Sequence, residues 1–247
     1  MIRTADAESV RWIRFERTER LNAFTVEGYR DLRVAIEAAA VDSEVRVVVL
    51  TGVGRAFSVG ADLSLLDGTS EETDGDLDAG DEFERLLLAL ASFSKPLIAA
   101  VNGIAVGFGC TLLLHCDLVV AGRSARLRLP FTRMGIVPEA GSSVLVRSRV
   151  RDDDAMWAML SSEWIEADEA RRIGMVWRVV DDDALAGEAA AVAGTLAERD
   201  PAAVAETKAL LTEGRADLVL RAHRREIAAM GRLLTRSAPR EPRTPPA

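Results

Sequence analysis

Two glycine-bearing segments hold the residues best placed for chemistry in this sequence. They are Ala56-Phe57-Ser58-Val59-Gly60-Ala61-Asp62-Leu63 and Asn102-Gly103-Ile104-Ala105-Val106-Gly107-Phe108-Gly109-Cys110. Each follows an apolar run, residues 45–51 and 96–101, that reads as a buried strand. Backbone N–H groups at a turn or a helix start lack an internal acceptor and attract negative charge. Two sets converging on one point would form an oxyanion hole for charge developing on a carbonyl oxygen. The plainer reading is that Gly60 and Gly109 serve close packing or positive φ alone. Taken singly, neither segment decides between the two.

Among the acids, Glu139 stands out in Ile136-Val137-Pro138-Glu139-Ala140-Gly141-Ser142-Ser143. It can be a helix-start acid, favoured by the free N–H groups there. It can also be a base, but that role needs a raised pKa, which burial supplies and a helix N-terminus opposes. The only histidines are His115 and His223, and no Ser/His/Asp signature accompanies them. His115, on an apolar stretch, reads as a core residue. Cys110 and Cys116 have the spacing of neither a disulfide framework nor a zinc pair, so they read as small buried hydrophobes, with no metal site expected. Gly52-Val53-Gly54 lacks the third glycine of a dinucleotide fingerprint, and no phosphate-binding loop with its lysine occurs.

The elements that must position these residues follow from periodicity. Residues 10–15 alternate as a strand. Thr25 can cap a helix running to about residue 40, with Glu27 in its first turn. Residues 82–93 and 107–115 read as helices, and 117–121 and 176–180 as strands. Residues 67–81, acidic and glycine-containing, read as a surface loop. The stretch from residue 237 onward, rich in proline and arginine, reads as a disordered tail. Strands alternating with helices through the first two-thirds predict an α/β layered or spiral core. Residues 1–190 are assigned to that core and 191–247 to a helical C-terminal region.

The 247 residues, 49% of them apolar, suffice for one large core. A net charge of −8 disfavours a nucleic-acid partner, while local Arg and Lys can still serve an anionic ligand. No apolar run approaches the roughly 18 residues of a membrane span. The first eight residues carry no secretory-signal pattern. A cytoplasmic protein without a membrane partner is expected.

Together the two glycine segments resemble the crotonase (enoyl-CoA hydratase/isomerase) superfamily. The first is similar to its A-F-x-x-G-A-D-L signature and the second to its V-N-G-x-A-x-G-x-G-C signature. Cys116-Asp117, Arg20-Leu21-Asn22-Ala23 and Met134-Gly135-Ile136-Val137-Pro138 resemble three further motifs of that family, in the same order. The resemblance implies a ββα spiral core, a homotrimer or a dimer of trimers, and an acyl-CoA thioester substrate with no separate cofactor. It also implies that the backbone N–H groups of Ala61 and Phe108 hold the thioester oxygen. The family usually has glycine at Phe108, so this side chain must point away from the thioester. Arg20, Asn22, Ala23, Ala61, Asp62 and Leu63 would line the CoA side. Gly107, Thr111 and Phe131 would also contact the acyl-CoA substrate. Lys208 would approach the CoA phosphates; its plainer reading is a solvated lysine. Asp62 is usually structural in the family.

Hydratases of this family use two glutamates, and the corresponding positions here are Thr111 and Phe131. Hydration requires one group to activate water and another to deliver a proton; neither side chain is a base. Glu139 resembles the single glutamate of Δ3,Δ2-enoyl-CoA isomerases. The expected reaction is therefore movement of a 3-enoyl-CoA double bond to the 2-position, with Glu139 as proton shuttle. Thr111 could hold a water, bond Glu139 or simply pack. A hydratase or other crotonase reaction is the alternative, and a non-catalytic acyl-CoA binder is a third reading. The C-terminal residues lack the family's usual closing glycine and aromatics.

Overall fold

The computed structural model describes residues 1–62, 65 and 79–237. Two sheets and a shell of helices make up these residues. The first sheet is six-stranded, in the order β1-β2-β3-β5-β7-β10. Its strands are β1 (Ile2–Ala7), β2 (Val10–Phe15), β3 (Val47–Gly52), β5 (Leu97–Val101), β7 (Leu118–Gly122) and β10 (Arg178–Val180). Only the β1–β2 hairpin is antiparallel; the other pairs are parallel. The second sheet is four-stranded and contains β4 (Ala56–Ser58), β6 (Ile104–Val106), β8 (Arg126–Arg128) and β9 (Ile165–Glu166).

The chain alternates between the sheets. Strands β3, β5 and β7 lie in the first sheet, and each is followed at once by a short strand, β4, β6 or β8, in the second. A helix then closes most of these turns. These helices are α2 (Ala79–Ala91) after β4, α3 (Phe108–Thr111) after β6 and α4 (Ser142–Leu145) after β8. This is the ββα spiral that the resemblance implied. The sequence reading found the long apolar strands and missed β1, β4, β6, β8 and β9. Strands β4, β6, β8 and β9, of two or three residues, are too short to display a period of two, and β1 is exposed along nearly its whole length, so it carries no apolar alternation.

Helix α1 (Val26–Val41) begins where its cap predicts, with the Thr25 hydroxyl accepting from Gly28 N–H at 3.2 Å. Helix α2 starts at Ala79, so residues 79–81, expected in a loop, are helical; Asp81 and Glu82 suit its positive first turn. The rest of the expected acidic loop, 67–78, lies outside the described residues. Segment 107–115, expected as one helix, is α3 followed by a 3-10 turn, Leu112–His115.

Strand β3 is buried on both faces, as its unbroken apolar run requires. Val48 and Leu50 face the main core with Phe15, Phe57, Leu86 and Leu97. Val47 and Val49 face a second cluster with Ile98, Val120, Ala189 and Val192. Each such side chain contributes about 1.5–3 kcal/mol by leaving water. Ala189 and Val192 belong to α7 (Leu185–Ala197), which covers the outer face of the first sheet. The expected division after residue 190 falls inside this helix.

Between α4 and α7 lie α5 (Asp152–Ser161) and α6 (Ala167–Ile173). Two helices follow α7. Helix α8 (Pro201–Leu211) is capped by Asp200, with Pro201 at its first turn. Helix α9 (Arg215–Ser237) returns across the spiral and turns Val219, Ala222, His223 and Glu226 inward. The proline- and arginine-rich tail, 238–247, lies outside the described residues.

Candidate active site

The first glycine segment leaves β4 and pairs with the chain just before α1. Phe24 N–H donates to Gly60 C=O at 2.7 Å, and Asp62 N–H donates to Phe24 C=O at 2.8 Å. Ala61 is the middle residue of this parallel bridge. In such a bridge the flanking residues make the bonds, so the N–H of Ala61 points to the opposite side. Among the described residues it has no acceptor.

Asn22 fastens this segment from below. It is fully buried and left-handed, at φ 59°. Its side-chain amide donates to Ala56 C=O at 2.8 Å and Val53 C=O at 3.0 Å, and its oxygen accepts from Arg17 N–H at 2.9 Å. Its own C=O accepts from the Ser58 hydroxyl at 2.8 Å. Both hydrogens of the amide and its oxygen are thereby used. Asn22 was expected to line the CoA; it is instead a buried strut, because every polar atom of its side chain is committed inside the fold.

The second segment enters α3 through Gly107. As the first helical residue, Phe108 has an N–H with no intrahelical acceptor. Two glycines set the approach of the segments. A Cβ on Gly109 would stand 2.1 Å from Ser58 C=O, and one on Gly60, at φ 89°, would stand 2.9 Å from the Phe108 nitrogen. The close packing expected of these glycines is therefore present, and it brings the segment that carries Ala61 against the start of α3 at Phe108. The Phe108 ring turns into a cluster with Phe24, Tyr29 and Phe83, at centroid distances of 5.2, 5.3 and 5.2 Å. It is 3% exposed and points away from the N–H, as the replacement of glycine demanded.

Glu139 precedes a left-handed pair, Ala140 (φ 61°) and Gly141 (φ 68°), that leads into α4. The acid that satisfies the start of α4 is a different one. The Glu226 carboxylate, arriving on α9, accepts from Gly141 N–H at 2.8 Å and Ser143 N–H at 3.0 Å. The helix-start reading of Glu139 therefore fails, because Glu226 fills that role. Glu139 Oε1 accepts instead from the hydroxyl of Thr111, at 2.7 Å. Thr111 lies one turn after Phe108 on α3, with its hydroxyl 3.3 Å from Phe108 C=O, so the carboxyl sits against the helix that Phe108 opens.

Burial pushes the Glu139 carboxyl up to about 8, the Thr111 bond opposes this, and the nearby Glu226 carboxylate reinforces it. His115 holds the turn from beneath, its Nε2 bonded to Ala140 C=O at 2.9 Å. Burial, with Arg215 nearby, lowers its pKa to about 3, so the ring is neutral and donates this bond. His115 is thus the core residue expected.

The other candidate residues divide. Arg20 is exposed, and its side chain makes no hydrogen bond or ion pair among the described residues. Ala23 is buried and its C=O accepts from Arg17 at 3.1 Å. Asp62 pairs with Arg17 at 2.5 Å, a structural tie between the two sides of the bridge. Phe131 is buried in the main core. Leu63 lies outside the described residues. Lys208 is neither solvated nor directed at a ligand: its ammonium donates to Asp117 at 2.6 Å and to Lys95 C=O at 2.7 Å. The ion pair ties α8 to the residue before β7, the second bond ties it to the chain before β5, and together they correct the expectation of a phosphate contact. Sequence reading missed Arg17, Tyr29, His223 and Glu226. The last two were legible only as members of an inward stripe on α9.

Among the described residues no helix is long and apolar enough to cross a membrane, and no group of three or more His, Cys, Asp or Glu could hold a metal ion. Both cysteines are buried and free, and burial raises their thiols to about 12.

Comparison with known proteins agrees with this geometry. The sequence profile of the enoyl-CoA hydratase/isomerase family matches residues 5–236. A 1,2-epoxyphenylacetyl-CoA isomerase of Escherichia coli K12 is 37% identical over 194 residues, 77% of this chain and 73% of that protein. A 2,3-dehydroadipyl-CoA hydratase of the same organism is 40% identical over 180 residues, 72% of this chain and 68% of that protein. The crystal structure of an enoyl-CoA hydratase/isomerase from Pseudoalteromonas atlantica superposes with a TM-score of 0.87 at 34% identity, covering 96% of this chain and 92% of that one. With the glycine segments, the spiral and these relatives in agreement, the chain belongs to the enoyl-CoA hydratase/isomerase family of the crotonase superfamily and is an acyl-CoA enzyme.

Proposed function

We propose that this enzyme moves the double bond of a 3-enoyl-CoA to the 2-position, with Glu139 as the single proton shuttle. The Glu139 carboxylate takes a proton from C2. The electron pair passes to the thioester oxygen, where the N–H groups of Ala61 and Phe108 receive the negative charge. When the C=O re-forms, the double bond settles between C2 and C3, and Glu139 returns the proton at C4. The acid begins and ends as carboxylate, and no water is consumed. The CoA end passes over the first glycine segment, where Arg20 is free for an anionic group.

The observation that carries this reading is the isolation of the Glu139 carboxyl, whose only bonded partner among the described residues is Thr111. A pKa near 8 suits a group that both removes and returns a proton near neutral pH. Thr111 and the buried Phe131 stand where a hydratase of this family would have its two glutamates, and neither can activate water.

An ultraviolet assay with a 3-enoyl-CoA and, in parallel, a 2-enoyl-CoA tests it. A rise in conjugated-enoyl absorbance from the first supports isomerisation. A fall from the second alone means hydration and overturns the assignment. No change in either, with acyl-CoA binding intact, moves the reading to another reaction or to a binding role.

A further inference from the structure

His223 is 3% exposed, yet neither of its ring nitrogens has a hydrogen-bond partner among the described residues. A buried polar group left unmatched costs about 1–3 kcal/mol, so its retention calls for a partner beyond those that the described residues supply. The ring packs edge-on against Phe83, at a centroid distance of 5.5 Å. Phe83 in turn packs on Tyr29 at 4.9 Å and on Phe108, the second oxyanion residue, at 5.2 Å. The Tyr29 side chain is also buried, and its hydroxyl has no partner among the described residues. Two unmatched polar groups thus share one aromatic ring beside the oxyanion hole.

We propose that His223 and the Tyr29 hydroxyl form a hydrogen-bonding end to the acyl pocket, which selects an acyl chain bearing a neutral oxygen function such as a hydroxyl or ketone. This rests on the acyl-CoA reading of the site and adds the class of acyl group. Neutrality of the bound group follows from the surroundings. The carboxylates of Glu226 and Glu84 lie close enough to act on His223, and that of Glu139 acts on Tyr29. Burial keeps the imidazole neutral, with one nitrogen donating and the other accepting. A hydroxyl satisfies both nitrogens in turn and a ketone the donor. A carboxylate would face three acids against one cation, Arg224, which Glu84 already pairs at 3.0 Å.

The test is calorimetric binding of saturated CoA esters, which does not require turnover. The probes are hexanoyl-CoA, its isomers with a hydroxyl at successive carbons, and adipyl-CoA. The wild-type enzyme binds one hydroxy isomer about tenfold tighter than hexanoyl-CoA, the worth of one good hydrogen bond, and binds adipyl-CoA more weakly than hexanoyl-CoA. His223→Leu reduces that preference to under about twofold, His223→Gln restores part of it, and Tyr29→Phe lowers it by about threefold. If His223→Leu fails to fold, Tyr29→Phe and His223→Gln carry the comparison. Equal binding of all hydroxy isomers and hexanoyl-CoA by the wild type overturns the proposal. So does a preference that survives both Tyr29→Phe and His223→Leu. Failure of every ester to bind is a different result, and it removes the acyl-CoA reading itself.

Discussion

The hydroxyl of Thr111 donates to Oε1 of Glu139 at 2.7 Å, joining the helix that Phe108 opens to the carboxyl proposed as the proton shuttle. The bond stabilises the charged form of a carboxyl that burial otherwise holds protonated up to about 8. Thr111 is therefore a positioning residue for Glu139.

Glu139→Gln retains the hydrogen-bond acceptor for Thr111 but cannot take a proton. Turnover of a 3-enoyl-CoA falls by about 10²–10⁴-fold, the usual worth of a general base, while acyl-CoA binding measured by calorimetry is kept. Stability moves the other way. A folded-state pKa raised to about 8 from 4.5 means that the wild type loses stability as pH rises from 4.5 through 8. Above pH 8 the Gln variant is more stable by about 2 kcal/mol, discounted for partial solvent access, as read by denaturant midpoints at pH 5 and pH 9. Unchanged turnover would remove Glu139 from the mechanism.

The base must be ionised in the free enzyme, so kcat/KM rises with pH and levels off above about 8. Thr111→Val removes the bond that lowers the Glu139 pKa and moves the rising limb to higher pH. Glu226→Gln removes a carboxylate that raises it and moves the limb to lower pH. Opposite shifts in one pH–rate series identify Glu139 as the titrating group; shifts of the same sign count against it.

Asn22→Ala removes a fully buried side chain and takes a partner from Val53 C=O, Ala56 C=O and Arg17 N–H. It also puts alanine at φ 59°, which asparagine tolerates better. The cost is about 3–5 kcal/mol of stability, seen as a lowered melting temperature. A loss below 1 kcal/mol would show that Asn22 is not the strut described.

Gly109→Ala sets a methyl 2.1 Å from Ser58 C=O, a backbone atom that cannot move aside without shifting β4. The two N–H groups separate, and kcat falls by about 10²-fold or more, comparable to the loss of one oxyanion donor. The readout is kcat against binding of a saturated acyl-CoA, the first falling far more than the second.

Much of this protein was written locally. The alternation in β2, the apolar run of β3, the Thr25 cap and the order of the glycine motifs depend on neighbours in sequence, and they led to the spiral fold and the family. The Phe108 prediction was of the same kind, since a ring in place of glycine has only one way to turn without covering the N–H. Roles that depend on distant partners were not legible. Glu139 could be a cap or a base, and the cap reading was removed by Glu226, which lies 85 residues beyond Gly141 and takes the helix start. Asn22 and Lys208 carried polar groups suited to a ligand. Their commitments to Val53, Ala56 and Asp117 exist only once the spiral closes. A backbone pattern is set by the residues that make it, whereas burial, hydrogen-bond satisfaction and pKa are set by whatever the fold brings alongside.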